Sequence, residues 1–358
     1  MISKYDDFLI HQTSAPVQYF HNTDPRAFDR FYFCMHDRSG EFALAFGAGV
    51  YPNLDVMDSG VGAVHGGKQY NIRLSRTLKG SDRADTTIGP IRFEIVEPLK
   101  TWRIVLDDNP HGVSFDLLFQ ARTQPFETPR ITWREDNFQQ FDQSHYTQPG
   151  RFSGHLRIGD RHWDVTPDEF YGHRDRSWGV RPVAHIGRTG RPPSEWGAAM
   201  HLWLPMQFKD RCLFLMYQEN KEGQQHHIAG GPLYEDGRVG AKWVKVDHEI
   251  QLDPVTRLHS TSTLHLTQED GQVTTVTSRQ LLPGIYLRGM GYEDHGVFRG
   301  DLSVDGDVYN LDVPPADLAK LTHFGSDQMA EFRCGDDVAY GIYEHFVSPA
   351  HVQYRTQE

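Results

Sequence analysis

Short runs in which apolar and polar residues alternate recur along the chain, and a period of two marks a half-buried β-strand. In "GHLRIGDRHWDV", from Gly154, the apolar set is Leu156, Ile158, Trp163 and Val165, with Gly159-Asp160 at the reversal between two strands. "STLHLTQEDGQVTTVTSRQL", from Ser262, puts Leu264 and Leu266 on one face and His265 and Thr267 on the other. Further reversals are expected at Ser39-Gly40, Asp236-Gly237, Asp270-Gly271 and Asp305-Gly306, where residues tolerant of positive φ separate apolar runs. "MHLWLPMQF" (200–208) and "CLFLMYQE" (212–219) are apolar on both faces and predict central strands covered on each side. Helical patterning is confined to short segments near Pro25–Phe31 and Pro314–Leu321. The pattern predicts an all-β chain of antiparallel hairpins.

Self-comparison adds an internal repeat. "YTQPGRFSGHLRIGDRHWDV" from Tyr146 matches "YEDHGVFRGDLSVDGDVYNL" from Tyr292 at one fixed offset, with Tyr146/Tyr292, Gly150/Gly296, Phe152/Phe298, Gly154/Gly300 and Leu156/Leu302 identical in register. The spacing is far above that of stacked repeats, so it implies two similar domains. A chain of 358 residues also exceeds one ordinary domain of roughly 100 to 200 residues. The expected boundary is "RTGRPPS", Arg188–Ser194, dividing residues 1–188 from 189–358.

A formal net charge of -12 with no block of Lys or Arg excludes a phosphate-binding surface for nucleic acid and a polybasic membrane anchor. Cys34, Cys212 and Cys334 are far apart, which gives neither a disulfide framework nor a cysteine zinc site. "MISKYDDFLIHQ" lacks the pattern of a signal peptide, and no apolar stretch approaches the roughly 18 residues of a membrane span, so the expectation is a cytoplasmic protein without a membrane span.

The densest chemistry lies in "YGHRDRSWGVRP", Tyr171–Pro182. Read as a strand, it projects Tyr171, His173, Asp175 and Ser177 to one side and Arg174, Arg176 and Trp178 to the other. An imidazole and a carboxylate on one face suit general acid or base work. Burial among aromatics would raise the Asp175 pKa and make it a donor, whereas a nearby Arg would lower it and leave a base. The alternative is an ion network that clasps the two domains, with Arg174 and Arg176 in a structural, electrostatic role.

From "FDRFYFCMHD" through "EIVEPLKTWRIVLDD" and "GRFSGHLRIGDRHWDV" to "YGHRDRSWGVR", the chain resembles the bacterial proteins grouped with hydroxyneurosporene synthase, the carotenoid 1,2-hydratase CrtC, and the AttH-like proteins. Their landmark, HxDxxWG, is matched by His173, Asp175, Trp178 and Gly179. The resemblance implies two tandem lipocalin-like (calycin) β-barrels, a hydrophobic small-molecule substrate of isoprenoid, steroid or polyketide type, and no cofactor. By that likeness Asp175 is the proton donor and His173 its partner, in a hydratase, dehydratase or cyclase. Arg174 and Arg176 depart from the characterised hydratases.

Around that motif, Tyr171, Trp178, Trp196, Trp203 and Tyr217 are the candidate substrate-binding aromatics, whose faces stabilise a developing carbocation. Glu195 and Glu219 are possible second carboxylates. "GVGAVHGG", from Gly60, misses the dinucleotide fingerprint by one position and reads as a loop, as does His226-His227. No HExxH, GxSxG or P-loop occurs, and no metal is expected.

Overall fold

The computed structural model describes residues 2, 4–79, 83–182, 198–321 and 326–355. The expected boundary at Arg188–Ser194, together with Glu195 and Trp196, lies outside them. Among the described residues twelve strands precede that segment: β1 (Ala27–His36), β2 (Phe42–Tyr51), β3 (Val56–His65), β4 (Lys68–Thr77), β5 (Ile91–Glu97), β6 (Thr101–Leu106), β7 (Val113–Ala121), β8 (Phe126–Glu127), β9 (Ile131–Glu135), β10 (Phe138–Ile158), β11 (Arg161–Val165) and β12 (Tyr171–Val180). Ten follow it: β13 (Met200–Gln207), β14 (Arg211–Glu219), β15 (Gln225–Tyr234), β16 (Trp243–Leu252), β17 (His259–Gln268), β18 (Val273–Gln280), β19 (Ile285–Tyr286), β20 (Leu302–Asn310), β21 (Ser326–Cys334) and β22 (Asp337–Val347).

Among the described residues all pairings are antiparallel, and they form two sheets. The first runs β20-β4-β3-β2-β1-β12-β10-β7-β6-β5 and curls into a half-barrel, while the second runs β15-β14-β13-β22-β21-β18-β17-β16 and nearly closes as β15 approaches β16. Phe31, Phe33, Phe46, Trp102, Phe119 and Phe152 fill the half-barrel. Each such buried ring contributes about 1.5–3 kcal/mol. A second apolar core joins the two sheets, with Cys34 and Val64 from the first meeting Trp203, Phe214 and Met329 from the second.

Most expected reversals are present: Gly40, Gly159, Gly237 and Gly271 all hold positive φ between strands. Asp305-Gly306 is the exception, because it lies inside β20, paired with Arg73 and Ile72 of β4. The second half of the chain thus contributes an edge strand to the first sheet. The two matched segments also occupy different elements, since Tyr146–Val165 spans β10 and the β10/β11 hairpin, whereas Tyr292–Leu311 holds a 3-10 turn and a single strand. Pro25–Phe31 is not helical. Pro25 sits in a turn, and Ala27 onward is captured by pairing with β2 and β12. The second helical segment does form, as a turn over Pro315–Leu318 continued by Ala319–Leu321. "GVGAVHGG" is strand as well as loop: Gly60–His65 belong to β3, and Gly66-Gly67 turn the chain into β4. His226-His227 likewise open β15. Among the described residues no helix is long and apolar enough to cross a membrane.

Candidate functional site

Strand β12 lies at the centre of the first sheet, between β1 and β10, and its two faces have different fates. Arg174 turns into the half-barrel, where it packs on the rings of Trp102, Tyr146 and Phe119 and donates from Nε and Nη2 to Gln148 Oε1 at 3.0 and 2.6 Å. Arg176, on the same side, donates to Asp29 Oδ1 at 2.5 Å. Trp178, 41% exposed, meets the edge of Tyr146 away from the second sheet. The opposite face carries His173 and Asp175 toward the second sheet. In register, Asp175 lies between Tyr32 of β1 and Thr147 of β10.

The expected bond between His173 and Asp175 is not made. His173 is fully buried, stacks on Phe214, meets Trp203 edge-on and engages Thr147 Oγ1 through Nε2. Burial pushes its pKa well below the ordinary value, which favours the neutral imidazole. Same-face neighbours along a strand stand about 7 Å apart, whereas β10 brings a different imidazole closer. His145 Nε2 lies 3.6 Å from Asp175 Oδ2, with His145 Nδ1 on Thr128 Oγ1 at 3.1 Å.

The second sheet supplies two more carboxyl groups. Asp327 of β21 and Glu344 of β22 are direct cross-strand partners, and Trp203 of β13 is opposite Glu344 on its other side. Tyr32 donates its hydroxyl proton to Asp327 Oδ2 across the sheet junction. His201 Nε2 lies 3.3 Å from Glu344 Oε1, and Gln218 Nε2 donates to His201 Nδ1 at 3.1 Å. That bond places the His201 proton on Nε2, toward Glu344.

Burial and the charge of Asp175 push the Glu344 carboxyl up to about 8. Burial, then Glu344, hold Asp327 well above the usual carboxylate range. The two titrate as a pair that keeps a proton at neutral pH. Asp327 is fully enclosed, while the Asp175 and Glu344 side chains stay 21% and 26% exposed and are the reachable groups. Asp327 Oδ1, Trp203 Nε1 and His173 Nδ1 are buried with no hydrogen-bond partner among the described residues. Such an arrangement combines a neutral acid, a half-buried carboxyl group and aromatic walls.

The other sequence candidates are scattered. Trp203 joins the site. Tyr171, at the start of β12, packs beneath Arg122 and Arg151 at the sheet junction. Tyr217 lies inside the second barrel, where its hydroxyl donates to Glu219 at 2.7 Å. Tyr32, His145, His201, Asp327 and Glu344 have no sequence motif, although a carboxylate in the middle of the apolar run "AYGIYEHFV" is itself an anomaly for a strand. Among the described residues no group of three His, Cys, Asp or Glu side chains is arranged to hold a metal ion.

The chain belongs to the family of unknown function DUF8625, whose profile matches residues 2–354. No curated protein matches it in sequence. Solved structures share the fold. An AttH-like protein of Nitrosomonas europaea superposes with a TM-score of 0.54 at 12% identity, over 89% of this chain and 91% of that one. CghA with Sch210972 gives 0.52 at 12% identity, over 90% and 89%. Kievitone hydratase from Nectria haematococca gives 0.53 at 9% identity, over 90% of each.

Proposed function

We propose that this DUF8625 chain is a cofactor-independent hydratase, dehydratase or cyclase that moves protons on an apolar small molecule of isoprenoid, steroid or polyketide type, bound between the two sheets. The observation that carries the reading is Glu344, an acid held neutral beside Asp327 and facing the carboxylate of Asp175 from the other sheet. The fold shared with kievitone hydratase and with CghA supports it, as does the HxDxxWG likeness to hydroxyneurosporene synthase.

Glu344 delivers its proton to one carbon of a substrate double bond. Asp175, beside His145, takes a proton from the water that adds to the other carbon, and the reverse sequence eliminates water. In a cyclisation an internal double bond attacks in place of that water, and Asp175 takes a proton from the carbon next to the cation so formed, leaving a new double bond. Trp203 and Phe214 supply apolar walls, and an aromatic face near a developing cation contributes about 0.5–2 kcal/mol. The general acid contributes roughly 10²–10⁴-fold.

The test begins with mass spectrometry of small molecules extracted from the purified protein, followed by incubation of the recovered compound in deuterium oxide. Protein-dependent incorporation of deuterium at carbon, lost in Asp175→Asn and Glu344→Gln while the compound stays bound, supports an enzyme. Incorporation that persists in both variants overturns the assignment. Binding without any exchange assigns the chain instead to hydrophobic-ligand carriage, with β12 as a clasp between the domains.

A further inference from the structure

Tyr171 opens β12 four residues before Asp175, a span of about 13 Å along the strand, and the fully buried His173 stands between them. The proton-transfer scheme leaves Tyr171 unused, yet three guanidinium groups gather on its ring. Arg122 lies 5.1 Å from the ring centroid, Arg151 5.6 Å and Arg38 5.8 Å. Each comes from a different part of the first sheet: Arg38 from the bend between β1 and β2, Arg122 from just past β7, and Arg151 from β10, where it is the cross-strand partner of Tyr171.

The three differ in what else they hold. Arg122 is fully engaged: Nε donates to Glu235 Oε1 at 2.8 Å, Nη1 to Gln207 Oε1 at 3.1 Å, and Nη2 to the carbonyls of Phe208 and Lys209, each at 3.1 Å. It clasps the first sheet to the second. Arg151 donates from Nη2 to the same Glu235 oxygen at 2.7 Å, and its Nε is buried with no partner among the described residues. Arg38 is exposed, and among the described residues no acceptor meets its guanidinium. The rings of Tyr171 and, at 6.0 Å, of Tyr340 from the second sheet hold it over the junction. Asp37 beside it spends its carboxylate on the backbone N–H groups of Ser39 at 2.9 Å and Glu41 at 3.1 Å.

Charge is out of balance around this ring. Three guanidinium groups share one carboxylate in contact, that of Glu235, and the sum stays positive with Asp37 included, in a chain whose net charge is -12. Like charges crowded on one ring repel, and an anion seated between two of them removes that repulsion. A guanidinium fork matches the oxygens of a phosphoryl group in pairs. Arg38 and Arg151 both have donors to spare, and the Tyr171 hydroxyl, which makes no hydrogen bond among the described residues, adds another. We propose that Arg38, Arg151 and Tyr171 form a binding site for the phosphoryl group of a small phosphate ester, at the edge of the sheet junction and separate from the proton-transfer site. Glu235 competes with that ligand for Arg151.

Inorganic phosphate is the probe, titrated calorimetrically into the full chain with sodium chloride holding the ionic strength constant, acetate as the comparison anion and melting curves as the folding control. Wild type should bind phosphate saturably and acetate roughly fivefold more weakly or worse. Arg38→Gln, at an exposed position, should weaken phosphate roughly fivefold, and Arg151→Gln should do the same. Glu235→Gln removes the competing carboxylate and should tighten phosphate roughly threefold. A clasp without a ligand gives another pattern, with no saturable phosphate heat in wild type and a lower melting temperature in Glu235→Gln, and that result overturns the site. Phosphate binding that survives both arginine substitutions unchanged also overturns it. Acetate bound as tightly as phosphate overturns the phosphoryl assignment. If Glu235→Gln does not fold, Arg38→Gln alone decides.

Discussion

Replacing Glu344 by Gln removes an acid that the fold holds protonated, and the effect on stability has a definite sign. The carboxyl is carried from 4.5 to about 8 by burial and by Asp175. Between those pH values the folded chain binds a proton that the unfolded chain has released. The stability Glu344 carries is therefore whole below pH 4.5 and drains away as the pH rises toward 8. At about 1.4 kcal/mol per pH unit the ceiling is about 5 kcal/mol. The side chain is 26% exposed, and Asp327 shares the proton, so about 2 kcal/mol is the expected size. Gln matches the carboxyl in shape, keeps an oxygen for His201 and cannot ionise. Urea titrations followed by circular dichroism at pH 5, 6.5 and 8.5 should show the variant no more stable than wild type at pH 5, and more stable by about 2 kcal/mol at pH 8.5. A gap that is constant across the series, or that widens toward acid, refutes a protonated Glu344.

Two other substitutions probe the parts of the fold that support the site. Gln148→Leu strips the two contacts to Gln148 from Arg174 and leaves the buried guanidinium with the Tyr146 hydroxyl, at 3.4 Å, among Trp102, Phe119 and Tyr146, at a cost of about 3 kcal/mol. Arg174→Met, which removes the charge along with its need, should cost less by the same urea titration, and a larger cost would contradict this account. Glu219 accepts from Tyr217 at 2.7 Å, His248 at 3.0 Å and His351 at 2.8 Å, tying the carboxy-terminal segment to the second barrel. Burial pushes the Glu219 carboxyl up, but the bonds from His248, Tyr217 and His351 outweigh it and hold the pKa below 4.5. Its stabilisation is thus present above pH 4.5 and lost as the pH falls through the lowered pKa. Glu219→Gln should cost about 2 kcal/mol at pH 7, with the deficit shrinking below pH 4 and amide exchange quickening over 348–355. Unchanged exchange in that segment would separate Glu219 from the role of anchor.

What the chain discloses in advance is whatever one strand decides by itself. Alternation in Tyr171–Val180 sorts Arg174, Arg176 and Trp178 from His173 and Asp175, and the structure keeps that division, because side chains on a pleated strand have no other way to point. The same reading fails once a second strand takes part. It pairs Asp175 with His173, the nearest imidazole in sequence, whereas His145 on the neighbouring strand is the one within 3.6 Å. It places a turn at Asp305-Gly306, but β4 offers Arg73, whose guanidinium binds both Asp305 and Asp307 and favours an extended strand there. It finds a helix at Pro25–Phe31, where pairing on both sides overrides local preference. The acid pair is the extreme case. Asp327 and Glu344 are directly opposed, which sets their Cβ atoms about 4.5–5.5 Å apart, and like charges so placed are destabilising. A sheet selected for stability alone would put Thr or Val at one of these positions. The pair persists only with a proton retained between its members, and Asp175, arriving from the other sheet, raises the cost of losing that proton further. The strain and the proposed acid are therefore one feature, formed by register and sheet packing, and no stretch of sequence shorter than the whole fold contains it.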